Sequence, residues 1–283
     1  MVSVSSGTMD DIVKSRAAAY DQHYRTLWRS HKWTKESIEA RLAYVLDVEQ
    51  GGNIAGKEIQ HALRLVGTHD LAGKTVLDYC CGTGITAIYF ALCGATVYAF
   101  DASQVAVDIA RESAALSGVQ DSVRFSVQDA RKLTYRDGVF DVAFCRSALH
   151  IVVGYPECSL ELRRVLRPGA KAVFCEEALG HNPAFECVRW FLRRRWHDTG
   201  DDRALKYSDI CAFGQPFART VVHHFHLFAL GKRAFKKQLE HGPLRGWFCT
   251  FLRAMEATDR CVLESAPWLE RFCGSVVVEY VKE

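Results

Sequence analysis

The chain has 283 residues, a formal net charge of +3 with histidine neutral, and 49% hydrophobic against 24% charged residues. That balance suits a globular protein with enough chain for one large domain or two small ones, and its interspersed signs exclude a nucleic-acid-binding tract. Eleven cysteines, odd in number, set in apolar surroundings such as Ala91-Leu92-Cys93 and without a CxxC pair, read as reduced core thiols and exclude a disulfide scaffold.

The first residues, MVSVSSGTMDD, have neither a basic start nor an apolar core, so no secretory leader is expected. No apolar run approaches the roughly 20 residues that span a bilayer. A cytoplasmic protein without a membrane partner is the expectation. Three helical patterns follow. Residues 10–30 carry Tyr20, Tyr24 and Trp28 four apart, a stripe that reads first as core packing. Residues 34–52 place apolar side chains at 38, 42, 45 and 46, with Thr34 as N-cap and Gly51-Gly52 as the stop. Residues 54–67 repeat the pattern at 59, 62, 63 and 66.

Then the period changes. KTVLDYC reads as a strand and ITAIYFALCG as a helix. ATVYAFD is a strand, followed by a helix from Ser103 to Gly118. SVRFSVQD and VFDVAFCRS are strands. YPECSLELRRVLRPG is a helix bounded by Pro156 and by Pro168-Gly169, and AKAVFCEE is a strand. Alternating strands and helices of this length make βαβ units, hence a parallel sheet covered on both faces. After residue 178 the rhythm breaks: AFECVRWFLRRRW is helical, ARTVVHHFHLFAL a strand candidate, 232–265 helical, and SVVVEYVKE a closing strand. This divides the chain into an N-terminal helical extension, 1–70, and an α/β domain, 71–283, elaborated at about 179–218 and 230–273.

The first strand–helix junction carries the chemistry. Gly82-Thr83-Gly84-Ile85-Thr86-Ala87 fits G-x-G-x-x-A, and Asp101 stands at the distance where a ribose-binding acid is found. By its glycines alone, the loop suits a dinucleotide or S-adenosylmethionine. Asp78, at the strand tip, separates them. A carboxylate there repels a pyrophosphate but attracts a sulfonium and an α-ammonium. Asp101 can accept both ribose hydroxyls and Asp129 an adenine amino group. All three fall just past successive strands, on the carboxyl edge where open α/β sheets bind ligands.

Residues 74–177 resemble class I S-adenosylmethionine-dependent methyltransferases. VLDYCCGTG resembles their first motif, FDAS the ribose motif, VQDA the adenine motif, FDVAFCRSALHIV the fourth-strand motif, and LRRVLRPGAKAVFCEE the turn and fifth strand. The resemblance implies a doubly wound α/β sheet of seven mostly parallel strands, order 3-2-1-4-5-7-6, with HHFHLFAL and SVVVEYVK as the antiparallel last pair. It implies S-adenosyl-L-methionine as cofactor and methyl transfer to an oxygen or nitrogen of a small-molecule acceptor. Cofactor contacts fall on Asp78, Cys80, Gly82, Gly84, Asp101, Ala102, Asp129, Ala130, Arg146 and Tyr20. The N-terminal helices become a candidate lid, with Tyr20 and Tyr24 able to reach the sulfonium; Tyr24 is also a candidate catalytic residue. His150 is a candidate base, or packs against the adenine. His150, Glu177, His181 and Asn182 are candidate acceptor contacts.

Cys80 departs from the motif, standing where its first glycine belongs. Either the position does not need a positive φ, or the side chain tucks beneath the loop, leaving Gly82 and Gly84 to admit the cofactor. Arg146 is a carboxylate anchor or a surface ion pair, and Arg193 to Arg195 a solvated helix end. His223, His224 and His226 cannot share one strand face, so no metal site is expected. Three alternatives stay open: a same-fold enzyme using the sulfonium for cyclisation or elimination, an NAD-dependent oxidoreductase, and a non-catalytic cofactor-binding subunit. No nucleic-acid partner is expected, and the sequence does not speak to oligomeric state.

Overall fold

A computed structural model describes residues 9–30, 33–46, 56–177, 205–228 and 245–283. Three helices come first, α1 (Met9–Ser30), α2 (Lys35–Leu46) and α3 (Gly56–Val66). Then β1 (Thr75–Tyr79), α4 (Ile85–Leu92), β2 (Thr96–Asp101), α5 (Gln104–Leu116) and β3 (Val123–Val127) alternate. β4 (Phe140–Arg146), α6 (Leu149–Val152), α7 (Pro156–Val165) and β5 (Leu166–Glu177) complete the repeat. α8 (Tyr207–Gly214), β6 (Arg219–Phe225), α9 (Arg245–Ser265) and β7 (Ser275–Val281) close the chain. The helical stretch expected at 184–196, with Arg193 to Arg195, lies outside the described residues.

The seven strands form one sheet in the order β3-β2-β1-β4-β5-β7-β6. β1 to β5 run parallel, and β7 is antiparallel to both neighbours. This is the order implied by the resemblance, and α9 lies between the last two strands as expected. β5 begins earlier than the sequence suggests. Leu166 already pairs with Phe140, and the register shifts before Lys171 meets Val142. Pro168 and Gly169 (φ 76°) sit inside that irregularity instead of ending a helix.

Side-chain alternation builds two cores. Leu77, Tyr79, Phe174 and Tyr280 face Leu162 and Val165 of α7 and Ile210 and Phe213 of α8. Val76, Phe144, Val173 and Val277 face Ile59, Ala62 and Leu63 of α3 and Ala87 and Ile88 of α4. Each of the valine, leucine, isoleucine and phenylalanine side chains among them, fully buried, contributes about 1.5–3 kcal/mol. The histidines of β6 divide as alternation requires. His223 meets Glu279 (3.1 Å) and the His61 ring of α3, whereas His224 meets Glu270 (3.3 Å) and Tyr207. His226 should share the His224 face, but its left-handed backbone (φ 63°) turns it back to Glu58 on α3. Among the described residues no helix is long and apolar enough to cross a membrane.

Candidate cofactor and active site

The β1–α4 turn uses three left-handed residues in quick succession: Cys80 (φ 57°), Gly82 (φ 52°) and Gly84 (φ 74°). Cys80 thus takes the glycine conformation after all, correcting the first of the two readings of that position. A non-glycine residue in this region is strained by roughly 1–2 kcal/mol. The Cys80 side chain offsets part of that by packing against the core that holds Tyr79. The two glycines serve different ends. A Cβ on Gly82 would meet Tyr24 Oη at 2.9 Å, on the open side of the loop. A Cβ on Gly84 would meet Ala110 at 2.7 Å and Phe125 at 2.8 Å, so Gly84 admits α5 and β3 against the loop. Its empty side faces protein, not the cavity, contrary to the cofactor role read for it.

The carboxylates gather where the strand order reverses. Asp78 is 1% exposed. It accepts from Thr86 Oγ1 at 2.7 Å and from the Ala87 backbone at the start of α4. Burial pushes its pKa up to about 7 against those two hydrogen bonds. Asp101 accepts from the N–H of Gly82 and of Ser103, both at 2.9 Å, one on each oxygen. Burial also raises its pKa. The Ala102 N–H donates to the same carboxylate, which keeps acceptor capacity for a further donor. Asp129 differs from its expected role. Its oxygens already accept from the Arg131 backbone and guanidinium at 2.6–3.1 Å. Burial raises its pKa, but the Arg131 hydrogen bonds outweigh this and leave it below the ordinary value. An adenine amino group would share that acceptor with Arg131.

One cavity of about 400 Å³ joins these groups. Asp78, Cys80, Gly82, Asp101, Ala102, Asp129, Ala130, Arg146, Tyr20 and Tyr24 all line it, as do Thr83, Ile151 and Tyr155, which the sequence reading did not single out. Helix α1 roofs the cavity and is fastened along its length. Asp10 pairs with Arg131 (2.8 Å), and Arg16 donates to Tyr155 Oη (3.0 Å). Asp21 accepts from the Ser103 hydroxyl and the Val105 N–H at the start of α5. Tyr20 and Tyr24 stack with ring centroids 6.3 Å apart. The aromatic stripe, read first as core packing, therefore faces the cavity at Tyr20 and Tyr24.

The acceptor candidates fare unevenly. His150 is not among the lining residues. Its Nδ1 lies 3.1 Å from Glu176 Oε1, with side chains 17% and 2% exposed. A buried carboxylate on Nδ1 fixes the orientation of the imidazole. The glutamate that holds His150 is Glu176, whereas the sequence pointed to its neighbour Glu177; the side chain of Glu177 lies outside the described residues, as do His181 and Asn182. Ser147, between Arg146 and His150, has φ 55° and donates its N–H to the Cys175 carbonyl at 2.9 Å, a strained turn at the β4 tip.

A mostly parallel seven-stranded sheet of this order, with a glycine turn and acids at three strand tips, defines the class I methyltransferase fold. Residues 76–169 match the family model described as a methyltransferase domain. A 2-phytyl-1,4-naphtoquinone methyltransferase of Nostoc punctiforme is 36% identical over 115 residues, 40% of this chain and 50% of its own length. A demethylmenaquinone methyltransferase of Clavibacter sepedonicus is 37% identical over 106 residues, 38% of this chain and 42% of its own. The chain thus spans about half the length of these curated relatives. The phosphoethanolamine N-methyltransferase 2 of Haemonchus contortus, solved with phosphomonomethylethanolamine and S-adenosylhomocysteine, superposes with a TM-score of 0.56 at 16% identity, over 79% of this chain and 52% of that one. The [4+2]-cyclase SpnF shares the fold with a TM-score of 0.51 at 20% identity, over 80% and 82% of the two chains.

Proposed function

We propose that the protein is an S-adenosylmethionine-dependent methyltransferase acting on a small molecule. The observation that carries this is the meeting of Asp78, Asp101 and the Gly82 turn on one cavity at the carboxyl edge of the sheet. The residues suit the cofactor part by part. Asp78 is a buried carboxylate with no cationic partner among the described residues, and a cationic ligand would neutralise it. Asp101 is a carboxylate at the β2 tip that lines the cavity and keeps acceptor capacity, the chemistry that a ribose hydroxyl needs. Bound there, S-adenosylmethionine supplies an activated methyl group and its own leaving group.

The chain's own part is then to hold and orient. Helix α1 shuts water out over Tyr20 and Tyr24, whose ring faces can favour a cation beneath them. His150, held by Glu176 on the helix that also presents Ile151 to the cavity, is the nearest candidate for a base, and it would have to reach the cavity to take a proton from an acceptor that must lose one. The relatives' names add a quinone-type acceptor to the oxygen or nitrogen acceptors expected from the sequence. A cytoplasmic location, residues 1–70 as a lid and 71–283 as the catalytic domain complete the reading. Incubation with S-adenosylmethionine and panels of quinols, phenols, amines and carboxylic acids tests it. S-adenosylhomocysteine formed only with an acceptor supports methyl transfer. Methylthioadenosine as product, or none with any acceptor, would move the assignment elsewhere.

A further inference from the structure

Charge around the cavity is unbalanced. Among the described residues four arginines (16, 41, 131 and 146) and three aspartates (78, 101 and 129) line it. Arg131 is matched by Asp129 and Asp10, and Arg16 is hydrogen-bonded to Tyr155. Arg41, on α2, and Arg146, at the end of β4, have no carboxylate partner among the described residues. Arg41 lies over the Trp33 ring at 5.4 Å. Burial, and then the nearby charge of Arg146, lowers its pKa. Arg41 and Arg146 line the same cavity, and two guanidiniums on one partly desolvated site cost free energy unless an anion offsets them.

S-adenosylmethionine does not supply the missing balance. It carries a sulfonium and an ammonium against a single carboxylate, so it adds net positive charge. We propose that Arg41 and Arg146 together form an oxyanion site for the acceptor, whose carboxylate or phosphate group is held between the two guanidiniums. This rests on the methyltransferase reading, and it reassigns Arg146 from the cofactor to the substrate. Arg146 leads directly into Ser147, Ala148 and Ile151, which line the same cavity, so an anion held there lies along the β4 rim of the site.

The test uses protein saturated with S-adenosylhomocysteine, titrated calorimetrically with benzoate and with inorganic phosphate. At least one anion should bind the wild type. Its affinity should fall by about tenfold or more in Arg41→Met and in Arg146→Met, with S-adenosylhomocysteine affinity changed by less than about threefold. Arg41→Lys should recover part of the loss, since it restores charge without the fork. Retained S-adenosylhomocysteine binding shows that the variants are folded. Two results would overturn the proposal. One is a wild-type S-adenosylhomocysteine complex that binds neither anion. The other is loss of S-adenosylhomocysteine affinity in the Met variants while 5′-methylthioadenosine, which lacks the carboxylate, binds as before; the pair would then hold the cofactor. A wild type that binds no S-adenosylhomocysteine would instead remove the methyltransferase reading itself.

Discussion

With its carboxylate sealed beneath the glycine turn, Asp78 has its pKa raised to about 7, mainly by burial. In the unfolded chain an aspartate titrates near 3.9, so above about pH 7 folding must bury a charge, and that cost fades as pH falls toward 4. Asp78→Asn, which carries no charge, should therefore melt above the wild type at pH 8, and the gap should shrink by pH 5. A cationic ligand beside the carboxylate favours its ionised form. S-adenosylmethionine affinity should then fall between pH 8 and pH 6 in the wild type, by up to about tenfold per unit, and stay flatter in Asp78→Asn. Asp101→Ala removes acceptors for Gly82 and Ser103 together with the proposed diol contact. It should weaken S-adenosylhomocysteine by about 1.5–3 kcal/mol, read by calorimetry. At Cys80 the left-handed backbone orders the variants. Cys80→Gly should stay within about 1 kcal/mol of wild type in denaturant unfolding, the relieved strain offsetting lost packing and the freer unfolded glycine. Cys80→Val, with a branched Cβ at positive φ, should lose about 1–2 kcal/mol.

Helix α1 and the glycine turn act as facing parts of one closure. The Tyr24 hydroxyl stands where a Cβ of residue 82 would be. Gly82→Ala should thus push α1 off the turn and weaken S-adenosylhomocysteine, and Tyr24→Phe should recover part of that loss by removing the colliding oxygen. A coupling of about 0.5–3 kcal/mol in the double-mutant cycle is expected; strict additivity would show that α1 does not press on the turn in solution. Gly84 belongs to a different contact, between α4, α5 and β3. Gly84→Ala should lower the melting temperature with no ligand present, because its Cβ meets Ala110 and Phe125, neither of which is a flexible side-chain end.

Across the whole molecule, most of the sheet was legible because its strands are short apolar runs punctuated by capping residues such as Ser103 and Pro156. The final order, with β7 between β5 and β6, came through resemblance, since no local pattern distinguishes that insertion. α8 went unread because eight residues, Tyr207–Gly214, are too few to show a helical period clearly. In the site, the acids at the strand tips were visible because each follows a strand directly. Three features were not. The Glu176 partner of His150, the shared cavity of Arg41 and Arg146, and the roofing of Gly82 by Tyr24 each join residues far apart in sequence or choose between identical neighbours. Only tertiary contact decides them. The positive φ of Cys80 was hidden for a related reason: surrounding packing imposes a conformation that a cysteine would not select. The central claim is that this cavity takes a sulfonium nucleoside and not a dinucleotide. Its most direct test is calorimetric titration of the wild-type protein with S-adenosylhomocysteine and, separately, with NAD. The account predicts saturable binding of S-adenosylhomocysteine, weakened in Asp101→Ala, and none of NAD; saturable NAD binding without S-adenosylhomocysteine binding would contradict it.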